Sequence, residues 1–334
     1  MIGYYVHHQG SGHLHRAQSV AAAWGEEVTG LSTLPRPPGW PGEWLQLADD
    51  APTDGAEGCT DVTAHDHLHW VPVGHRGLSR RMAQLSSWLD AERPRLVVSD
   101  HSVEVTLLAR LHGVRVVGVV LPGTRSDRAH LLGYGVCDAL VAMWPESAGV
   151  STGLPSALRS RLRCLGGLSR FAPVVRPAPP ADEPVRPHVV VLWGRGGDGP
   201  PEEELAAARE HTPGWTWTVL GGGTWVDSPF AVLRSADVVL THAGQNAVAE
   251  TAAARRPAIV LPQPRPFDEQ QAMGRALGDE QWPALVRAAL PTDPADWPRL
   301  LEDARALDGG RWRGWCDGHA AERLVQVLRE VDAA

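Results

Sequence analysis

Residues Thr241 to Leu277 read THAGQNAVAETAAARRPAIVLPQPRPFDEQQAMGRAL. They follow the apolar run Asp237-Val238-Val239-Leu240, which reads as a buried parallel strand, and they open a helix at Gly244-Gln245-Asn246. A backbone turn therefore sits where a strand hands over to a helix. The first-turn N–H groups of such a helix lack intrahelical partners and carry the positive end of its dipole, which suits a phosphate, and glycine lets a ligand approach the backbone. Ala247, Val248, Thr251 and Ala252 give the helix a small, mostly apolar face towards a sheet. Glu250 lies a turn or so beyond the N-terminus, where a carboxylate can accept both hydroxyls of a ribose. The next apolar run, Ala258 to Leu261, is a second short strand, and a proline-rich loop after it delivers Phe267-Asp268-Glu269-Gln270 to the same sheet edge.

This order of glycine-rich helix start, glutamate in the helix, apolar strand, proline loop and Asp-x-Gln resembles the donor-nucleotide half of GT-B glycosyltransferases. It is most similar to the family 28 C-terminal-domain type, whose members include the N-acetylglucosaminyltransferase that makes lipid II. The resemblance implies that His242, Gly244, Gln245 and Asn246 lie against a diphosphate, that Glu250 holds the ribose, and that Asp268, Glu269 and Gln270 meet the donor sugar. The alternative is an ordinary doubly wound fold binding some other nucleotide, for which a single glycine turn would be weak evidence.

Working outward, 334 residues are enough for two domains, each able to bury a core. A formal net charge of −8 gives no footprint for general nucleic-acid binding. Every Lys or Arg position is arginine, a composition that resembles GC-rich bacterial coding. Cys59, Cys137, Cys164 and Cys316 have no paired spacing, so neither a zinc knuckle nor a disulfide framework is expected, and a reduced cytoplasmic setting fits. The chain starts directly on a strand, without a charged leader and apolar core, and nowhere holds about 18 uninterrupted apolar residues. The expectation is neither export by a signal peptide nor membrane spanning.

Ile2 to Val6 runs into His7-His8-Gln9-Gly10-Ser11-Gly12-His13-Leu14-His15-Arg16-Ala17 and a helix to about Trp24. Strand, glycine turn and helix again make a ligand-facing corner. The segment GSGHLHRA resembles the Gly-x-Gly-His-x-x-Arg opening of the same transferases and of nucleotide-sugar hydrolases and epimerases sharing the fold. By that resemblance Gly12 lies near the diphosphate and His13 removes a proton from an acceptor hydroxyl, work that suits a group titrating near neutrality. Alternatively, His13 caps the helix or bonds a phosphate. Leu96 to Ser99 is a β-prone run ending in Asp100, which either orients His13 by accepting its other ring N–H or caps the helix from about Val103 to His112. Val114 to Val120 is a further apolar strand, and the alternation is the βαβ pattern of a parallel sheet.

Between these, Thr63 to Trp70 reads as a strand on which His65, His67 and His69 point the same way, either as a wall of an acceptor cleft or as metal ligands. The transferases of this fold generally need no bound metal, so no metal and no cofactor is expected. The helix from Gly77 to about Ala91 carries an apolar stripe, with Arg76, Arg80 and Arg81 as a solvated face or as partners for a phosphate-bearing or membrane-surface acceptor.

From Pro173 to Pro180 proline is dense, and the domain boundary is placed at a linker over 171–187. Residues 1–170 would form an acceptor-binding Rossmann-like domain, 188–318 a nucleotide-sugar-binding one, and 319–334 a terminal helix crossing back to the first. His188 to Trp193 is the first strand of the second domain. It ends in Gly194-Arg195-Gly196-Gly197, which either faces the cleft from the donor side or is a surface turn. After the strand Trp215 to Leu220, Trp225 either stacks on the donor base or belongs to the core. Glu280-Gln281-Trp282-Pro283 is a poor strand where the family pattern asks for one.

The expectation is thus an α/β protein with two Rossmann-like domains facing across a cleft (GT-B), each a parallel sheet with helices on both faces. By the resemblance it would be an inverting, metal-independent hexosyltransferase. The donor would be a UDP- or dTDP-sugar and the acceptor a hydroxyl of a small-molecule or lipid-linked compound. His13 and Asp100 would be catalytic; the setting would be the cytoplasm or the inner face of a membrane. A nucleotide-sugar hydrolase, an epimerase and a non-catalytic sugar-nucleotide-binding protein remain alternatives.

Overall fold

The computed structural model describes residues 1–8, 10–51, 59–174, 186–194, 199–221 and 229–334. In chain order the elements of the first half are β1 (Ile2–Val6), α1 (Gly12–Trp24), β2 (Val28–Ser32), β3 (Trp44–Gln46), α2 (Arg76–Glu92), β4 (Leu96–Asp100), α3 (Val103–Leu111), β5 (Arg115–Val119), α4 (Arg128–Gly135), β6 (Ala139–Ala142), α5 (Ser156–Arg159) and β7 (Leu162–Cys164). There follow β8 (His188–Leu192), α6 (Glu202–His211), β9 (Thr216–Leu220), α7 (Phe230–Ser235), β10 (Val238–His242), α8 (Gln245–Ala253), β11 (Ala258–Leu261), α9 (Glu269–Leu277), β12 (Ala284–Val286), α10 (Trp297–Arg305) and α11 (Ala320–Ala333). They form two compact units. The first comprises Met1–Ala142, Thr152–Leu165 and Ala321–Ala334, and the second Met143–Ser151 and Gly166–Ala320. Of the proline-dense segment 171–187, residues 175–185 lie outside the described residues.

The first unit is built on a seven-stranded sheet of order β3-β2-β1-β4-β5-β6-β7, every pair parallel. β1, β2 and β4 are buried at all positions, which explains why β1 and the start of β4 read as apolar runs instead of alternating ones. The chain leaves β1 towards β2 and β3 and then returns to place β4 on the other side of β1. In an open parallel sheet the crevice for a ligand opens where the strand order reverses in this way. The register pairs Val6 with Asp100 at that place, so the residues after β1 and at the end of β4 share one corner. α11 belongs to this unit: Arg115 donates to the Val331 carbonyl at 2.7 Å, and Arg95 pairs with Asp332 at 2.8 Å.

The second unit has a five-stranded parallel sheet of order β12-β11-β10-β8-β9. Its strands divide their side chains between two cores by simple alternation. Val189, Val191, Val238 and Leu240 pack with Leu205 of α6 and Trp297, Leu300 and Leu301 of α10. Val190, Leu192 and Val239 pack on the other face with Leu233 of α7 and with Ala247 and Ala254 at the two ends of α8. With both faces covered, only a hydrophobic strand can occupy the middle of the sheet. Here the strand order reverses between β8 and β10, which brings the loops after those two strands together.

Two expectations are corrected and one is met. Thr63 to Trp70 is a series of turns and bends, not a strand. Asp61, Ala64, His65 and Asp66 all have positive φ, and the Asp61 carboxylate accepts the His65 N–H at 2.8 Å. Local side-chain bonding of this type competes with strand pairing, and His65, His67 and His69 share no face. The last strand of the second sheet does exist, one residue later than the weak segment, as Ala284–Val286 paired with β11. Arg81 belongs to no solvated face: it is 2% exposed, pairs with Asp50 at 2.8 Å and donates to the Tyr5 hydroxyl at 3.1 Å.

Candidate functional site

In the first unit the corner after β1 is organised by one carboxylate. Asp100, the last residue of β4, is fully buried, and its Oδ1 receives Arg16 Nη1 at 2.6 Å and His13 Nδ1 at 2.9 Å. The Tyr4 hydroxyl donates to Oδ2 at 3.3 Å. Burial alone would raise the Asp100 carboxyl, yet Arg16, His13 and Tyr4 together hold it below its ordinary value. An ionised carboxylate can only accept, so Nδ1 of His13 carries the ring proton and Nε2 presents a lone pair. That is the tautomer a general base needs. Asp100 does not cap the following helix; Ser102 does, accepting from Val105 N. Nor does His13 cap α1, where Ser11 is the N-cap and Gly12 opens the helix. Arg16 is one turn beyond His13 on α1, which puts both side chains on the same helix face beside β4.

Other histidines surround this dyad. His7 stacks on His8 with centroids 4.8 Å apart and lies 5.6 Å from the His13 ring. Burial, with His13 and His8 adding to it, pushes His7 down to about 3, so it is neutral. His101, directly after Asp100, has φ 150° and is driven well below its ordinary value by burial, with Arg125 and His130 next. Sequence reading gave roles to neither. Their only signal was position, immediately after β1 and β4.

In the second unit β10 ends at Thr241-His242, and Nδ1 of His242 accepts the Gly244 N–H at 2.9 Å. The His242 ring meets Trp193 edge to face at 5.3 Å, and burial followed by Arg265 lowers it to about 4. A neutral ring bonded in this way fixes the turn into α8. A Cβ on Gly244 would fall 2.4 Å from His242 Cε1, so glycine is required there. No side chain caps α8 at Gly244, so Gln245 and Asn246 stand in an N-terminal turn that is not side-chain capped and carries the positive end of the helix dipole. Gly194, at the end of the β8 run, is exposed, and a Cβ there would lie 3.5 Å from His242 Nε2. It thus stands beside the same turn. Gly196, Gly197 and Trp225 lie outside the described residues.

Glu250 is 6% exposed and pairs with Arg170 Nε at 2.9 Å. Burial raises its carboxyl above the ordinary value, and Arg170 works against that rise. The Arg170 guanidinium covers the Phe171 ring at 4.6 Å, and Phe171 stacks on Phe230 at 4.5 Å. The ribose carboxylate expected from the sequence therefore comes with a cation 80 positions earlier, which no local pattern reveals. Phe267 and Asp268 are both left-handed, at φ 60° and 55°, and Asp268 is exposed where α9 begins at Glu269. Gln270 is buried, and its amide oxygen accepts Ala243 N at 3.1 Å and Gln263 N at 3.0 Å. That oxygen ties the loop after β10 to the loop after β11 and is committed to backbone.

Comparison with known proteins finds a family match within the second unit. Residues 221–275 match the sequence model of the glycosyltransferase family 28 C-terminal domain. Over 113 residues the chain is 36% identical to the UDP-N-acetylglucosamine--N-acetylmuramyl-(pentapeptide) pyrophosphoryl-undecaprenol N-acetylglucosamine transferase of Shewanella amazonensis, covering 32% of this chain and 31% of that relative. The match thus spans about a third of the curated relative's length. Among solved structures, the glycotransferase of kitacinnamycin superposes with a TM-score of 0.70 at 16% identity, over 99% of this chain and 98% of that one. The spinosyn forosaminyltransferase SpnP gives 0.67 at 16% identity, over 100% and 99%. The resemblance read from Thr241 to Leu277 is borne out, and the fold is that of the GT-B glycosyltransferases.

Proposed function

We propose that this chain, with a GT-B fold and a family 28-type segment, is an inverting glycosyltransferase that moves a hexosyl group from a UDP- or dTDP-sugar to a hydroxyl. The hydroxyl belongs to a small-molecule or lipid-linked acceptor. The observation that carries the reading is the contact of His13 with the buried Asp100–Arg16 pair, which leaves Nε2 of His13 as the candidate basic atom. In the reaction His13 Nε2 takes the acceptor's proton, the acceptor oxygen bonds to the anomeric carbon, and the bond from that carbon to the diphosphate breaks. Asp100 stabilises the imidazolium that forms, and Arg16 keeps Asp100 ionised.

The second unit supplies the donor site. The N-terminus of α8 at Gly244, Gln245 and Asn246 takes the developing diphosphate charge, together with the turn held by His242 and with Gly194 beside it. Glu250, paired with Arg170, receives the ribose hydroxyls. Asp268 and Glu269 face the sugar, and Gln270 holds the loops that carry them. With helix termini to meet the charge, the proposed mechanism needs no divalent metal at the diphosphate and no cofactor. Among the described residues no helix is long and apolar enough to cross a membrane. We assign the enzyme to the cytoplasm, with peripheral membrane contact if its acceptor is lipid-linked.

Calorimetric titration with UDP, dTDP, GDP and ADP tests the donor site, on the wild type and on Glu250→Ala. Saturable binding of one diphosphate, weakened at least about tenfold in the variant, is expected. His13→Ala should bind that nucleotide unchanged while losing turnover. A folded protein that binds none of the four removes the transferase reading. Hydrolysis of the sugar nucleotide without acceptor reassigns His13 to activating water, and unchanged turnover in His13→Ala removes it from the chemistry.

A further inference from the structure

A second group of ligand-type side chains lies in the first unit, formed by His69, Asp127 and His130. One ligand atom from each lies within 4.8 Å of the other two. His69 Nε2 is 3.0 Å from Asp127 Oδ1, and His130 Nδ1 contacts Asp127 Oδ2. A tetrahedral metal with bonds of about 2.0–2.1 Å to nitrogen and oxygen sets its ligand atoms roughly 3.3 Å apart. Three atoms at this spacing can close one face of such a polyhedron.

The fold holds each ligand from a different direction. Asp127 is the N-cap of α4 and accepts the His130 N–H at 3.1 Å, so an Asp-x-x-His pair occupies the helix start. His69 is pinned through its backbone: Glu104 Oε1 of α3 accepts the N–H groups of His69 at 3.1 Å and Trp70 at 3.3 Å. Glu104 in turn receives the Ser102 hydroxyl at 3.0 Å. Behind His130, its Nε2 faces His101 Nε2 at 3.4 Å. His130 is fully buried, while the side chains of His69 and Asp127 are 32% and 37% exposed. An ion can enter from that side, and water can complete its coordination. Arg125 Nη1, 3.5 Å from His130 Nε2, is a buried cation that opposes a dication and makes the site weaker than a closed structural zinc site.

We infer that His69, Asp127 and His130 form a binding site for a divalent transition-metal ion of the zinc type, with coordination positions left for water or for an oxygen of a bound molecule. Two imidazoles and one carboxylate suit zinc, cobalt or nickel better than magnesium or calcium, which favour all-oxygen sets. The site is independent of the donor chemistry proposed above, because it involves none of the residues assigned to the diphosphate.

The test uses the full chain after dialysis against a chelator, titrated with Co²⁺ while its visible absorption is followed, and with Zn²⁺ by calorimetry. One equivalent of Co²⁺ should bind, give the absorption of a four- or five-coordinate nitrogen-and-oxygen site, and be displaced by Zn²⁺. His69→Ala and Asp127→Asn should each weaken binding by at least about tenfold. His65→Ala, at an 87% exposed side chain outside the cluster, should leave binding unchanged. Absence of saturable binding in the wild type overturns the inference, as does full-affinity binding by both ligand variants in folded protein. The three residues would then be a hydrogen-bonded array and nothing more.

Discussion

Asp100 shows how much one side chain can depend on its neighbours. Alone and fully buried, it would take up a proton; with Arg16 and His13 on one oxygen and Tyr4 on the other it stays ionised. Asp100→Asn keeps the shape and loses the charge. It should lower kcat by roughly 10² to 10⁴ while leaving nucleotide affinity unchanged. It should also cost about 3 kcal/mol of stability, because Arg16 is left buried without its anion. Steady-state kinetics beside a urea titration separate the two effects; full activity in the variant would show that His13 needs no orienting carboxylate. At this scale the sequence announced His13 and Asp100 as candidates, because each follows a plain apolar strand. It could not announce the Arg170–Glu250 pair, which joins residues on distant segments, nor that the oxygen of Gln270 serves two backbone N–H groups.

Elements were legible where both faces of a strand are buried. β1, β4 and β10 are runs of apolar residues that admit little else, and the helices after β1 and β10 start at glycine turns. They were illegible where local polar bonding decides, as in the turns around His65, and where a strand is only three residues long, as in β12. The β10–α8 corner depends on the missing side chain of Gly244. In Gly244→Ala the new methyl must displace His242, which breaks the bond from the residue 244 N–H and shifts the first turn of α8. Overpacking of this type costs about 1–3 kcal/mol. The expected result is a lower melting temperature together with loss of diphosphate binding by calorimetry; retention of full affinity would detach that corner from the donor.

For the whole molecule, the partly buried histidines of both units contribute to the response to acid. His7 in the first unit and His242 in the second are lowered to about 3 and about 4, whereas in the unfolded chain both titrate near 6.5. Between pH 6.5 and 4 the unfolded state therefore binds protons that the folded state refuses, and stability falls as pH falls. From pH 6.5 to 5 the loss approaches ~2 kcal/mol for each histidine, at about 1.4 kcal/mol per pH unit. Melting curves at pH 7 and pH 5 should show the drop, and His242→Gln should flatten it for the second unit. A curve independent of pH over this window would mean that water reaches both rings.

The first unit also has a history in time. β1 to β6 lie near the start of the chain, yet their unit is completed by α11, whose Val331 carbonyl and Asp332 carboxylate receive Arg115 and Arg95. On a ribosome, the half that is translated first gains these contacts only after α11 has emerged behind the second unit. Domains made early usually fold early; here the earlier one receives its last helix at the very end of synthesis.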